Sequence, residues 1–144
     1  MILNKIKTVG ILTLSACALA LPGLAQAELT IHNNTFHPST TMINPQSGHK
    51  KCSNTISYYG ITPPHSDNTI PGPIVYVACL GHQHPCKAAV YMTDDCSGEV
   101  VADVTFDLDE GIQKIENHHV NGFEINNSGP FEINILGGPP ANRK

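Results

Sequence analysis

Tryptophan is absent from this chain, phenylalanine and tyrosine number only four each, and charged residues make up 14% of it. Leucine and alanine are also sparse once the first 27 residues are set aside, so helices have little to pack with. No Cys-x-x-Cys occurs, which removes support for a thioredoxin-like redox site or a zinc ribbon. Gly-x-Ser-x-Gly, His-Glu-x-x-His and a phosphate-cradling glycine loop are missing as well, so no catalytic signature stands out. Beyond the leader no apolar run is long enough to span a bilayer, and no segment shows twelve residues of 3.6-period apolar pattern. What the chain does have is 12 Gly, 11 Pro and a net formal charge of −4, a composition that suits turns and argues against nucleic-acid binding.

Residues 1–27 read as a secretory leader. Lys5 and Lys7 give a basic start, Val9 to Leu21 is apolar, Pro22-Gly23 breaks the run, and Ala25-Gln26-Ala27 is a small-x-small cleavage site. Leu14-Ser15-Ala16-Cys17 resembles a lipobox that would anchor the chain by a lipid on Cys17. The apolar residues that follow it favour ordinary cleavage instead. Removing the leader discards Lys5 and Lys7 and takes the formal charge from −4 to −6. The expected organisation is a signal peptide at 1–27, one β domain over 28–136 and a frayed tail over 137–144, ending in the periplasm or outside a Gram-negative cell.

Cleavage also removes Cys17 and leaves Cys52, Cys79, Cys86 and Cys96, an even number suited to two disulfides in an exported protein. Pro73–Leu80 and Cys86–Met92 read as strands of a hairpin whose loop is Gly81–Pro85. That arrangement brings Cys79 near Cys86. Cys96 lies past the far end of the second strand, about 20 Å from Cys86 at about 3.3 Å per residue. A disulfide tolerates Cα separations of only about 4.4–6.8 Å. The predicted bridges are therefore Cys79–Cys86 and Cys52–Cys96.

Short strands are expected at Glu28–Asn33, Thr40–Asn44, Thr55–Ile61, Glu99–Asp107, Gln113–Glu116, Val120–Asn126 and Pro130–Leu136, besides the two of the hairpin. The cleanest alternation sets Val100, Ala102, Val104 and Phe106 against Val101, Asp103, Thr105 and Asp107. Phe131, Ile133 and Ile135 form a last inward row, and Asn126-Asn127-Ser128-Gly129 signals a turn. Thr62–Pro73 is a proline-rich loop. Eight or nine such strands imply an all-β, antiparallel sandwich or meander. Charge divides unevenly: residues 94–144 hold ten of the twelve acids, most simply as a solvated strand face.

Histidine is the unusual residue, with eight copies. His82-Gln83-His84-Pro85 is the best constellation, because an extended backbone points the i and i+2 imidazoles the same way and imidazole suits Zn or Cu. A third ligand could come from His118, His119, Asp94 or Asp95. With ordinary values near 6.5, the histidines would also shift the surface charge strongly towards positive on acidification to about pH 5. Asp107-Leu108-Asp109-Glu110-Gly111 only superficially suggests a calcium loop, and a hairpin turn explains it. Asn33-Asn34-Thr35 and Asn126-Asn127-Ser128 have the glycosylation pattern but read as Asn-rich turns.

The segment from Cys86 to Gly98, followed by Ala102–Asp107 and Gly111-Ile112, resembles a group of small exported four-cysteine proteins of Gram-negative bacteria. Leu29–Thr35, Cys52-Ser53 and Gly60–Thr62 fit the same pattern. The resemblance implies export and a shared fold, and the group has no established activity, so it transfers no site residues. Three functions follow as expectations. The first is a non-enzymatic binding protein presenting loops 81–85 and 62–73 to an unknown protein or small ligand, without a cofactor. The second is a periplasmic Zn or Cu binder using His82 and His84. The third is a small secreted hydrolase with no catalytic residues assigned: Asp103, Asp107, Asp109 and Glu110 could include an acid/base pair, yet their alternation on an exposed face argues for solvation.

Overall fold

The computed structural model describes residues 27–82 and 84–141, so residues 1–26 of the leader with the Cys17 lipobox, Gln83 and residues 142–144 lie outside the described residues. Among the described residues nine strands run β1 (Leu29–Asn33), β2 (Thr40–Ile43), β3 (Lys51–Cys52), β4 (Ser66–Ile70), β5 (Cys86–Tyr91), β6 (Val100–Asp107), β7 (Gly111–Asn117), β8 (Phe123–Gly129) and β9 (Glu132–Gly137), with one α-helix, α1 (Gly72–Ala78), before β5. They form a four-stranded sheet of order β4-β1-β9-β8 and a five-stranded sheet of order β3-β2-β5-β6-β7. Ile31, Ile125, Ile133 and Ile135 of the first sheet share one core with Ala88, Val90, Val104 and Phe106 of the second. The fold is the expected small all-β one, in its sandwich form. One ladder departs from the antiparallel expectation: β1 pairs parallel with β9, placing Ile31 opposite Ile133. Among the described residues no helix is long and apolar enough to cross a membrane.

Both expected disulfides are present, Cys52–Cys96 with Cα atoms 5.9 Å apart and Cys79–Cys86 at 5.7 Å. The second pairing arises from a different local structure. Residues expected as the strand Pro73–Leu80 form α1, whose buried Gly72, Val75 and Cys79 recur at helical spacing. Proline is well placed in its first turn, and burial of that stripe outweighs the β preference of Ile74, Val75 and Val77. Cys79 caps the helix, so the bridge joins a helix end to the start of β5 rather than two strands.

Three further expectations are corrected. Thr55–Ile61 is not a strand; two 3₁₀ turns occupy Ser53–Thr55 and Tyr58–Gly60. Local hydroxyls compete with a ladder there: Thr55 Oγ1 donates to the Cys52 carbonyl at 2.8 Å and Ser57 Oγ accepts the Tyr59 N–H at 3.0 Å. The Thr62–Pro73 loop contains β4, which pairs antiparallel with β1 as an edge strand bracketed by Pro63, Pro64 and Pro71. The Asn126–Gly129 stretch stays within β8, and the chain reverses at Pro130-Phe131 between the paired Gly129 and Glu132. Phe131 thus leaves the inward row to Ile133 and Ile135 and sits half-buried in the turn. In the tail, the Gly138 N–H donates to the Gly122 carbonyl at 3.2 Å, and a His37 ring nitrogen lies 3.2 Å from the Pro139 carbonyl.

Candidate functional site

The β5–β6 ladder pairs Cys86 with Phe106, so the residue two before β5 meets the residue that ends β6. His84 Nδ1 lies 2.8 Å from Asp107 Oδ2, and its Nε2 lies 3.9 Å from Asp109 Oδ2. Asp107 is held by its own turn, Oδ1 accepting the Asp109 N–H at 2.8 Å and the Glu110 N–H at 3.0 Å. Its side chain is only 13% exposed, against 82% for Asp109. The hydrogen bond to Asp107 raises the His84 pKa above its ordinary value, and the same bond, with the two turn N–H groups, lowers that of Asp107.

The other histidines of the sequence reading do not join this cluster. His82 lines a groove of about 420 Å³ with Asn44, Ser47, Lys87, Thr105 and Lys114, and it also borders a second groove on its other side. His118 Nε2 is 2.7 Å from Asp103 Oδ2, while His119 is exposed with φ of 58°. Asp95 is engaged by Ser97, whose hydroxyl and N–H hydrogen bonds lower its pKa, and Asp94 receives the Asn54 amide on its carbonyl. Asp94 and Asp95 directly precede Cys96, beyond the opposite end of β5 from His84. Pro85 is exposed along the first groove. The partners that sequence reasoning missed for His84 were Asp107 and Asp109, read there as a turn and as acid/base candidates but not paired with this histidine. The β5–β6 register was the signal that could have found them, since two antiparallel strands joined at one end align His84 with Asp107.

A third feature lies beside His82. Val77 and Leu80 leave 61% and 60% of their surface exposed, and Tyr76 joins them on the outer side of α1. Val77 and Leu80 border a groove of about 380 Å³ whose remaining lining includes Ile43, Ile56 and Ala78, with Lys51, His49 and His82 among its polar positions. The Cys79–Cys86 bridge fixes this end of the helix to the sheet, so the apolar residues stand on a rigid support. Among the described residues neither the His84–Asp107 nor the His118–Asp103 pair is hydrogen-bonded to a hydroxyl or thiol, and neither pair therefore lends support to the hydrolase expectation.

On the opposite sheet, His32 of β1 reaches Asp67 of β4 at 2.8 Å and Glu132 of β9 at 3.7 Å. The Asp67 hydrogen bond is the main cause of its raised pKa, opposed by desolvation and aided by the charges of Asp67 and Glu132. A raised histidine stabilises fully below its unfolded value of 6.5 and loses that contribution as pH rises through the folded value. His32 therefore makes the protein more stable at pH 6 than at pH 8. The difference is at most about 1 kcal/mol, because the pair is solvent-screened. Denaturation midpoints at the two pH values check this: His32→Gln should shrink the difference, and an unchanged difference would remove His32 from the explanation.

A family model described as "T2SS substrate NttC" matches residues 2–137 of this chain. The crystal structure of the Legionella pneumophila type II secretion system substrate NttC superposes with a TM-score of 0.61 at 28% identity, covering 78% of this chain and 98% of that one. No curated protein sequence matches.

Proposed function

This chain belongs to the NttC family of type II secretion system substrates, and on that premise we propose that it is a non-enzymatic binding protein acting after export through the apolar face of α1. It is a small exported bacterial protein, destined for the periplasm or the extracellular space, and its two disulfides suit that oxidising environment. In this reading residues 1–27 direct the first step of export and are removed, with no lipid retained at Cys17.

The observation that carries the reading is the exposure of Val77 and Leu80 beside a groove and a disulfide. Large apolar side chains at a rigid, concave, polar-rimmed place mark contact surfaces more often than chance. The contact therefore moves from the tip of 81–85 onto the helix just before it, with His82 at its edge, and the 62–73 segment contributes mainly as sheet. The partner's chemistry follows from charge. Lys51 is the charged residue of this groove, Lys50 adjoins it, and ten of the twelve acids lie beyond residue 93. The surface fits an acidic protein segment that carries apolar side chains.

Selection of peptides from a random displayed library on the disulfide-intact protein tests this. Enriched sequences should combine apolar and acidic residues, and Val77→Ser/Leu80→Ser should weaken them at least tenfold, since burying two aliphatic side chains contributes about 3 kcal/mol or more. Both positions are exposed, so stability should change by no more than about 0.5 kcal/mol. Peptides that bind the double variant as well as the parent would remove α1 from the contact.

A further inference from the structure

We propose that His84 and Asp109, with Asp107 behind them, form a surface site for a single divalent transition-metal ion, zinc or copper. The site is separate from the α1 face and does not depend on it.

The geometry begins at Asp107. Its Oδ1 is fixed by two turn N–H groups, which leaves Oδ2 aimed at His84 Nδ1 at 2.8 Å. A carboxylate at Nδ1 places the proton of a neutral imidazole on that nitrogen and leaves the lone pair on Nε2. Carboxylate, imidazole and metal in line is the arrangement that orients and strengthens histidine ligands in metal proteins. Beside Nε2, the nitrogen left to bind a metal, stands the Asp109 carboxylate, with Oδ2 3.9 Å away. Ligand distances of about 2.0–2.2 Å in a tetrahedral site place two donor atoms roughly 3.4 Å apart. Asp109 would have to move by about half an ångström, which an 82% exposed side chain on a turn allows. Potential ligand atoms of His84, Asp107 and Asp109 all lie within 4.8 Å of one another.

The support is covalently constrained. Cys86, two residues after His84, is bridged to Cys79, and the β5–β6 ladder begins at the Cys86–Phe106 pair. One imidazole and one carboxylate, with water filling the remaining positions, suit a borderline ion such as zinc or copper; magnesium and calcium prefer all-oxygen sets. The ligand set differs from the pair His82 and His84 that the sequence suggests, because His82 lines the grooves on either side of it and not this cluster.

Calorimetric titration of the chelator-stripped, disulfide-intact protein with ZnCl₂ and with CuCl₂ tests the site. One ion should bind per chain, and His84→Ala and Asp109→Asn should each weaken binding at least tenfold. Asp107→Asn, which leaves both ligands in place, should weaken it by about 10- to 100-fold. His82→Ala should bind within twofold of the parent, and circular dichroism should show each variant folded. Binding by the parent no tighter than by His84→Ala, or a loss in His82→Ala as large as in His84→Ala, would overturn the assignment. Magnesium binding as tightly as zinc would do the same.

Discussion

Asn33→Ala should cost about 3–4 kcal/mol of folding stability, more than most substitutions at apolar surface positions and a large share of the total for a small domain. Asn33 ends β1 and is fully buried at 0% exposure. Its amide nitrogen donates to the carbonyls of His37 at 2.8 Å, Pro63 at 3.1 Å and Thr62 at 3.2 Å. Its oxygen accepts the Thr35 N–H at 3.1 Å and the Thr35 hydroxyl at 2.8 Å. One side chain thus ties the loop after β1 to the segment leading into β4 through five hydrogen bonds. Alanine would remove all five bonds and leave the buried Thr35 N–H without its acceptor, while the His37, Thr62 and Pro63 carbonyls would each keep one other donor, from Thr35 Oγ1, the Ser39 N–H and Ser66 Oγ. Asn33→Asp keeps the shape but replaces the donor with an acceptor facing three carbonyls, so it should be nearly as damaging. Urea denaturation measures both. A loss below about 1 kcal/mol for either variant would mean that water replaces the amide at little cost. The same burial makes Asn33 an inaccessible glycosylation acceptor, whereas Asn126 is exposed.

Replacing Cys52 and Cys96 together with serine should cost about 4 kcal/mol, and the Cys79/Cys86 double replacement about 2.5 kcal/mol, if chain entropy governs. The first bridge spans a sequence separation of 44 and the second of only 7, and loop closure in the unfolded chain scales with the logarithm of that length. Cys52–Cys96 also fastens the short edge strand β3 to the loop between β5 and β6, which nothing as long as a ladder otherwise holds. Guanidinium unfolding of the two double variants gives the comparison. A larger loss for Cys79/Cys86 would show that packing around its two fully buried sulfurs outweighs the entropy of the longer loop.

How much of this was readable without coordinates depended on the range of the interactions involved. The alternation of Val100 to Asp107 determined β6 because strand period is local, and even there Val101 is buried as well, since the β5–β6 register shifts at Val90/Tyr91. The disulfides were legible because an exported chain with four cysteines has few geometric solutions. Their pairing survived even though α1 replaced the expected strand, since either structure brings Cys79 near Cys86. The α1 segment was misread because Ile74, Val75 and Val77 prefer strands, and only the tertiary burial of Gly72, Val75 and Cys79 reverses that preference. Asn33 read as a turn residue for a similar reason: nothing local reveals that Thr62 and Pro63 come to meet it. The candidate sites divide along the same line. His82 and His84 were visible as a pair, but their separation into two surroundings, and the meeting of His84 with Asp107 and Asp109, follow from strand register across β5 and β6.

The claim on which the functional account rests is that the exposed end of α1 is the contact surface. Backbone amide shifts of the isotope-labelled, disulfide-intact protein, recorded while an acidic, apolar peptide from the display selection is added, test it most directly. Shifts are expected to cluster at Lys51, Ile56, Val77 and Leu80, which line the groove beside the Cys79–Cys86 bridge. Shifts centred instead on Lys87, Thr105 and Lys114, across the outer face of β5, β6 and β7, would contradict it.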